Sequence, residues 1–157
     1  MKLIVVRHGP AGHGLPDPDA DAARELTEKG RKQTKLAVRG VAKLAPDIGL
    51  IVTSPLPRAA QTAKLLSKAL GGVELVEDDR LVPPGDAAAL IDELRADGKT
   101  AAIVGHDPQL STLVSILPSG ASSTFVALDK AGAAALVYES GSWRLDWLMT
   151  RDQLAAV

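Results

Sequence analysis

The run Leu3-Ile4-Val5-Val6, which stops abruptly at Arg7-His8-Gly9, narrows the choice of fold more than any other stretch of the chain. Four consecutive apolar residues cannot line one face of an amphipathic element, and three of the four are β-branched. Such a run reads as a short strand covered on both faces, which is the situation of a parallel strand with helices above and below it. Sheets of this kind carry their ligands in the crevice beyond the carboxyl ends of the strands. Arg7 and His8 stand at such an end, and Gly9 is expected to let the backbone come close to a ligand.

The rest of the chain goes on alternating strand with helix. After a loop rich in Gly, Pro and Asp, from Pro10 to about Leu26, Thr27 caps a helix whose Thr34, Ala37, Val41 and Leu44 share one face and which ends at Pro46. Gly49–Thr53 is a second buried strand, stopped by Ser54-Pro55. Pro57 opens a helix with Ala59, Ala63, Leu66 and Leu70 inward and Gly71-Gly72 as its stop. Val73–Val76 follows as a strand, Asp78–Gly85 as a loop, and Asp86 as the cap of a helix carrying Leu90, Ile91 and Leu94. Thr100–Val104 is a fourth strand. It leads through Gly105-His106 to Asp107-Pro108, read as the cap and first-position proline of a helix with Leu110, Leu113, Val114 and Leu117. From Thr124 three short strands follow one another, Thr124–Leu128, Ala134–Tyr138 and Trp143–Met149, the last with Trp143, Leu145, Trp147 and Met149 on one face. The expected fold is a single three-layer α/β/α sandwich over residues 1–157, with a mainly parallel sheet and antiparallel strands late in the chain.

Composition removes several classes of function. The net charge is −1 and aromatic residues make up 3%, so the chain has neither the basic field nor the stacking platforms that hold nucleic acid. The chain contains no cysteine, which excludes disulfides, thiolate catalysis and cysteine-based zinc sites and leads us to expect a cytoplasmic location. The uncharged stretch Pro108–Leu128 is broken by Pro118 and Gly120 and does not read as a membrane span. Asp17, Asp19, Asp21 and Glu28 fall at positions one, three, five and twelve of a calcium loop. The sixth position, where the turn needs glycine, is Ala22, and a solvated acidic loop is the better reading.

Three strand-to-helix junctions carry the chemistry: Arg7-His8-Gly9, Ser54-Pro55-Leu56-Pro57-Arg58 and Gly105-His106-Asp107-Pro108. If their strands are parallel, all three lie on one edge of the sheet, where two arginines and two histidines meet the N-terminal ends of two helices. Helix N-termini and arginine forks both suit the oxygens of a phosphoryl group. Each residue alone has a plainer reading, as a solvated charge, a hydrogen-bonded strand end or, for Asp107, a helix cap. Their convergence on one edge favours a site.

These junctions, together with Leu26-Thr27-x-x-Gly30, Ser54-Pro55-x-x-Arg58-x-x-Gln61-Thr62 and Gly105-His106-x-Pro108, resemble the histidine phosphatase superfamily, also called the phosphoglycerate mutase-like fold. The four motifs occur in the same order and cover nearly the whole chain. The short length resembles the SixA-type phosphohistidine phosphatases in particular. The resemblance implies that His8 attacks phosphorus and becomes a transient phosphohistidine. It also implies that Arg7, Arg58 and His106 clamp the non-bridging oxygens and that substrate contacts involve Arg7, His8, Gly9, Arg58 and His106. No metal or other cofactor is implied. Neighbouring cations favour a neutral His8, the form that can attack, while His106 is expected to work protonated.

Larger members that hydrolyse alkyl phosphate esters carry an acidic residue on an inserted segment, and here that region is short. Asp78, Asp79 and Asp86 are the candidates, with Asp86 first and a helix cap as its other reading. An alkoxide leaving group needs a proton far more than the P–N bond of phosphohistidine does. A weak acid and an open site therefore point to a histidine-phosphorylated protein of signalling or phosphotransfer as substrate. A broad small-molecule phosphomonoesterase and a non-catalytic phosphate-recognition module are the alternatives, and fold resemblance alone does not choose among them.

Overall fold

A computed structural model describes residues 1–157. Its six-stranded sheet has the order β3-β2-β4-β1-β5-β6. The strands are β1 (Lys2–Arg7), β2 (Leu50–Thr53), β3 (Leu75–Glu77), β4 (Ala101–Gly105), β5 (Ala133–Glu139) and β6 (Ser142–Met149). The first four run parallel, with β1 beside β4 and β2 between β4 and β3; β5 lies antiparallel to β1 and β6 antiparallel to β5. The helices are α1 (Pro18–Ala22), α2 (Glu28–Leu44), α3 (Pro57–Ala69), α4 (Ala87–Asp97), α5 (Gln109–Ser119) and α6 (Arg151–Ala155). No helix is long and apolar enough to cross a membrane.

Alternate residues of β1 feed two separate cores, as a strand covered on both sides requires. Ile4 and Val6 pack with Ala37, Val38 and Val41 of α2, Ala63 and Leu66 of α3 and Leu154 of α6. Leu3 and Val5 pack with Leu90, Ile91 and Leu94 of α4 and Leu110, Leu113 and Val114 of α5. All four apolar residues of β1 are fully buried, and truncating one such side chain costs about 2–5 kcal/mol. The capping signals act as expected for α2, where Thr27 Oγ1 accepts from Gly30 N–H at 2.9 Å, and for α4, where Asp86 accepts from Ala89 N–H at 3.1 Å.

The structure departs from the sequence reading in several places. The Pro10–Leu26 segment contains the short helix α1, capped by Asp17, and a second five-residue helix, α6, follows β6 behind a Thr150–Gln153 capping box. The Asp78–Gly85 loop contains a 3₁₀ turn at Asp79–Leu81. Pro108, not Asp107, is the residue flanking α5, and the Asp107 carboxylate reaches past it to accept from Ser111 N–H at 3.0 Å. Segment 124–128 is not a strand. Three of its N–H groups are taken by a pair of serine hydroxyls at i, i+4 spacing on α5: Phe125 and Val126 donate to Ser115 Oγ and Leu128 to Ser111 Oγ, at 2.9–3.1 Å. The hydroxyls satisfy the extended backbone in place of a ladder. In β6 the pairing slips between Ala135 and Leu136, and this irregularity puts Trp147 and Met149 against one core and Trp143 against the other, leaving Leu145 exposed.

Candidate active site

The carboxyl ends of β1, β2 and β4 are adjacent, so their following residues meet. Val6 is level with Val104, which is level with Thr53, and one step further on lie Arg7, Gly105 and Ser54. His8 N–H donates to Gly105 O at 2.9 Å, joining the first junction to the third, and Ser54 N–H donates to Val104 O at 2.9 Å, joining the second to it. The turn before β5 closes the fourth side. Ala131 N–H donates to the carbonyls of both Arg7 and His8, with Ala131 held at φ +61°, a strained setting for a residue with a side chain.

The structure thus brings Arg7, His8, Arg58 and His106 together. The rings of His8 and His106 stand 5.2 Å apart, centre to centre, tilted by 53°. His8 is only 7% exposed, and its Nδ1 lies 2.7 Å from Gly9 O. A carbonyl can only accept, so Nδ1 carries the proton and Nε2 keeps a free lone pair. Burial, chiefly, holds the His8 pKa at about 3 against the opposing pull of its hydrogen bond to Gly9 O, with the charges of Arg58 and Arg7 helping to lower it. The neutral form is the resting form.

His106 is also buried, and its Nε2 is 2.7 Å from Ser54 Oγ, which itself accepts from Leu56 N–H at 3.2 Å. In the tautomer in which the Ser54 hydroxyl donates to Nε2, the ring proton sits on Nδ1. Burial first, then Arg58 and Arg7, holds His106 at about 4. It is therefore neutral at pH 7, and an incoming dianion opposes those cations and raises its pKa.

The arginines are fixed from behind. Arg7 Nη1 donates to Leu128 O at 2.8 Å and lies 3.4 Å from Asp107 Oδ2. Arg58, in the first turn of α3 and 7% exposed, donates through Nη1 to the carbonyls of Asp21 and Ala22, each at 3.3 Å. Four buried side-chain polar atoms have no partner in the protein, and three of them are Arg7 Nε, Arg58 Nε and His106 Nδ1. Buried donors without acceptors are rare in folded proteins. Three on one constellation describe a place for an oxyanion with several oxygens.

Gly9 also has a packing role. Its N–H donates to Thr62 Oγ1 at 3.0 Å, and the space a Cβ would take is filled by the Thr34 side chain. Gly9 seats α2 against the end of β1 and orients His8 through its carbonyl, and its N–H is taken by Thr62 Oγ1. Asp86 is exposed, caps α4 and makes no bond to the cluster. Asp78 is held below its usual range by its hydrogen bonds to Arg80, and Asp79 lies in the adjoining 3₁₀ turn. Asp21, read as part of a solvated loop, accepts from Leu15 N–H and Arg24 Nε, and Arg24 in turn donates to Ala11 O at 2.9 Å.

Sequence reasoning missed three contributors. Arg24 adds to the field that holds His106 neutral, Ser54 orients His106, and Ser111 braces Asp107. Of these only Ser54 lay within a motif already singled out.

Comparison with known proteins agrees with this geometry. Residues 3–82 match the family model described as histidine phosphatase superfamily (branch 1). An uncharacterized protein of Picosynechococcus sp. is 34% identical over 150 residues, 92% of this chain and 88% of its own length. The phosphohistidine phosphatase SixA of Escherichia coli (strain K12) is 27% identical over 157 residues, 96% of this chain and 94% of its own. A solved structure of the protein histidine phosphatase SixA complexed with tungstate superposes with a TM-score of 0.82 at 24% identity, covering 98% of this chain and 99% of that one, and so shares the fold. With its three converging junctions and the matching family model, the chain belongs to the histidine phosphatase superfamily, branch 1.

Proposed function

We propose that this protein hydrolyses phosphohistidine on a signalling or phosphotransfer protein, by way of a phosphoryl group carried transiently on His8. The observation that carries the reading is the set of unpartnered buried donors on Arg7, Arg58 and His106 around a neutral His8 whose Nε2 is free. In the first step Nε2 attacks phosphorus in line as the substrate's P–N bond breaks. The two arginines and His106 Nδ1–H hold the non-bridging oxygens, where charge is greatest. In the second step water displaces the phosphoryl group from Nε2, yielding inorganic phosphate and neutral His8.

The leaving group favours this substrate over an alkyl ester. A phosphorylated imidazole protonated on its other nitrogen departs as a neutral ring and needs no acid from the enzyme. Of the carboxylates near the cluster, Asp107 is committed to Arg7 and Ser111 and Asp21 to Leu15 N–H and Arg24, while Asp78 and Asp86 are committed to Arg80 and the α4 cap. The full-length similarity to a phosphohistidine phosphatase supports the same reading.

The test is dephosphorylation of a histidine-phosphorylated phosphotransfer domain by wild type and His8→Ala, with chelator present. Turnover by wild type alone is expected. Brisk hydrolysis of sugar or nucleotide phosphates with none on the phosphodomain would replace this reading by the phosphomonoesterase. Phosphate binding without any turnover would make the protein a recognition module.

A further inference from the structure

Beside the loop that follows β1, from Pro10 onward, lies a concavity of about 390 Å³, lined by no hydrophobic residue. Lys29, Lys130 and Arg151 bring three cations to it, with His13 and Gln33 beside them and Asp129 as the only carboxylate. Asp129 is already engaged, its Oδ2 accepting from Arg151 N–H at 3.2 Å. Lys29 and Lys130 enter no ion pair, and Arg151 meets only the largely exposed Asp152, at 3.4 Å. In a chain of net charge −1 this is a local gathering of positive charge. Lys29 also occupies the first turn of the 17-residue helix α2, where the helix field disfavours a cation. The fold gives it no partner there.

The groove opens on the same edge of the sheet as His8. The start of α2, the start of β5 and the end of β6 all lie where β1 ends, since Val6 pairs with Ala133 and Ala133 with Met149. Pro10 and Gly12 of that loop form part of its wall, and Lys130 adjoins Ala131, whose N–H fixes the His8 carbonyl. None of the four clustered residues lines it. A ligand that reaches both must pass over the loop, which a protein surface does and a small phosphate ester does not.

We infer that this groove docks an acidic surface of the phosphorylated protein substrate, beside the phosphohistidine that enters the site. The inference rests on the protein-phosphohistidine reading above. Complementarity of this kind acts on encounter and affinity, and leaves the chemical step alone.

The test compares wild type with Lys29→Glu/Lys130→Glu/Arg151→Glu on three substrates: a phosphotransfer domain of negative net charge, the same domain with its acidic face reversed to lysine, and free phosphoramidate. For the acidic domain the variant is expected to raise KM by about tenfold or more at low salt with kcat unchanged, an effect that shrinks as salt is added. Its preference should shift to the lysine-faced domain, and its kcat/KM on phosphoramidate should stay within about twofold of wild type, which also shows that it folds. An unchanged KM for the acidic domain, or an equal loss on phosphoramidate, overturns the docking role and leaves the phosphatase reading standing. Failure of wild type itself on both phosphodomains overturns the protein-phosphohistidine reading, and the docking role with it.

Discussion

Asp107 holds Arg7 through an ion pair that three hydrogen bonds close into a circuit. Its Oδ2 lies 3.4 Å from Arg7 Nη1 and accepts from Ser111 Oγ at 2.7 Å; Ser111 Oγ accepts from Leu128 N–H at 2.9 Å; and Leu128 O accepts from the same Arg7 Nη1 at 2.8 Å. Asp107 is thus a positioning residue. Asp107→Asn, which keeps the shape and removes the charge, is expected to lower kcat on phosphoramidate by about ten- to a hundredfold, in line with what small misplacements of a clamp do. Ser111→Ala should fall in the same range although it touches neither Arg7 nor substrate. Steady-state kinetics with unchanged melting temperature would separate positioning from folding, and full activity in both variants would show that Arg7 needs no brace.

The two site histidines give the protein a distinctive pH response. Both have folded pKa values below the unfolded value of 6.5, His8 at about 3 and His106 at about 4, in each case mainly through burial. The unfolded chain therefore binds protons on these rings at a pH where the folded chain does not. Stability is complete above about pH 6.5 and drains away as pH falls toward 4, by on the order of a few kcal/mol for the two rings together. Urea denaturation at pH 7 and 4.5 should show this loss, and His106→Gln should reduce it. Nitrogen NMR of the rings should find both neutral at pH 5.5, with inorganic phosphate raising the His106 value.

Gly9 is fixed by packing. In Gly9→Ala the new methyl group meets the Thr34 side chain and approaches Leu26 Cδ2. Destabilisation of about 1–3 kcal/mol is expected, as for other overpacked sites. The double variant Gly9→Ala/Thr34→Ala loses the hydroxyl but keeps the Thr34 Cβ position, 3.1 Å from the added carbon, and should recover most of the stability but not all. Denaturant midpoints of the three proteins would decide.

Asp86 separates a cap from an acid. Asp86→Ala should cost about 0.5–2 kcal/mol through the lost bond to Ala89 N–H. Turnover of a phosphohistidine protein should stay within about twofold of wild type, since no alkoxide needs protonation. A large fall in kcat there would restore Asp86 as the acid.

The parts of the fold legible in the sequence are those whose partners are local or generic. Leu3–Val6 needed only apolar cover, and Thr27 and Asp86 cap helices through bonds three residues away, so these could be read directly. Placing Arg7, Arg58 and His106 together required only that their strands be parallel. Helices α1 and α6 escaped because five residues hold too little periodicity to see. Thr124–Leu128 has the composition of a strand, and nothing local says that Ser111 and Ser115 satisfy its backbone from a helix. The second tryptophan of β6 changes faces because of one slip in pairing with β5, a property of two strands jointly. Arg24 was read as one more loop charge, since its proximity to His106 arises only when the loop folds over the site.

The bond from His8 Nδ1 to Gly9 O also settles a matter of regiochemistry. An imidazole has two nitrogens that can carry phosphorus, and the isomers differ in acid stability and in their phosphorus resonance. With Nδ1 turned to the backbone, a phosphoryl group on His8 is confined to Nε2. On the proposed two-step reaction each turnover consists of two in-line displacements, so a substrate made chiral at phosphorus would release phosphate with its configuration retained, whichever nitrogen is used. What the one backbone carbonyl selects is the isomer.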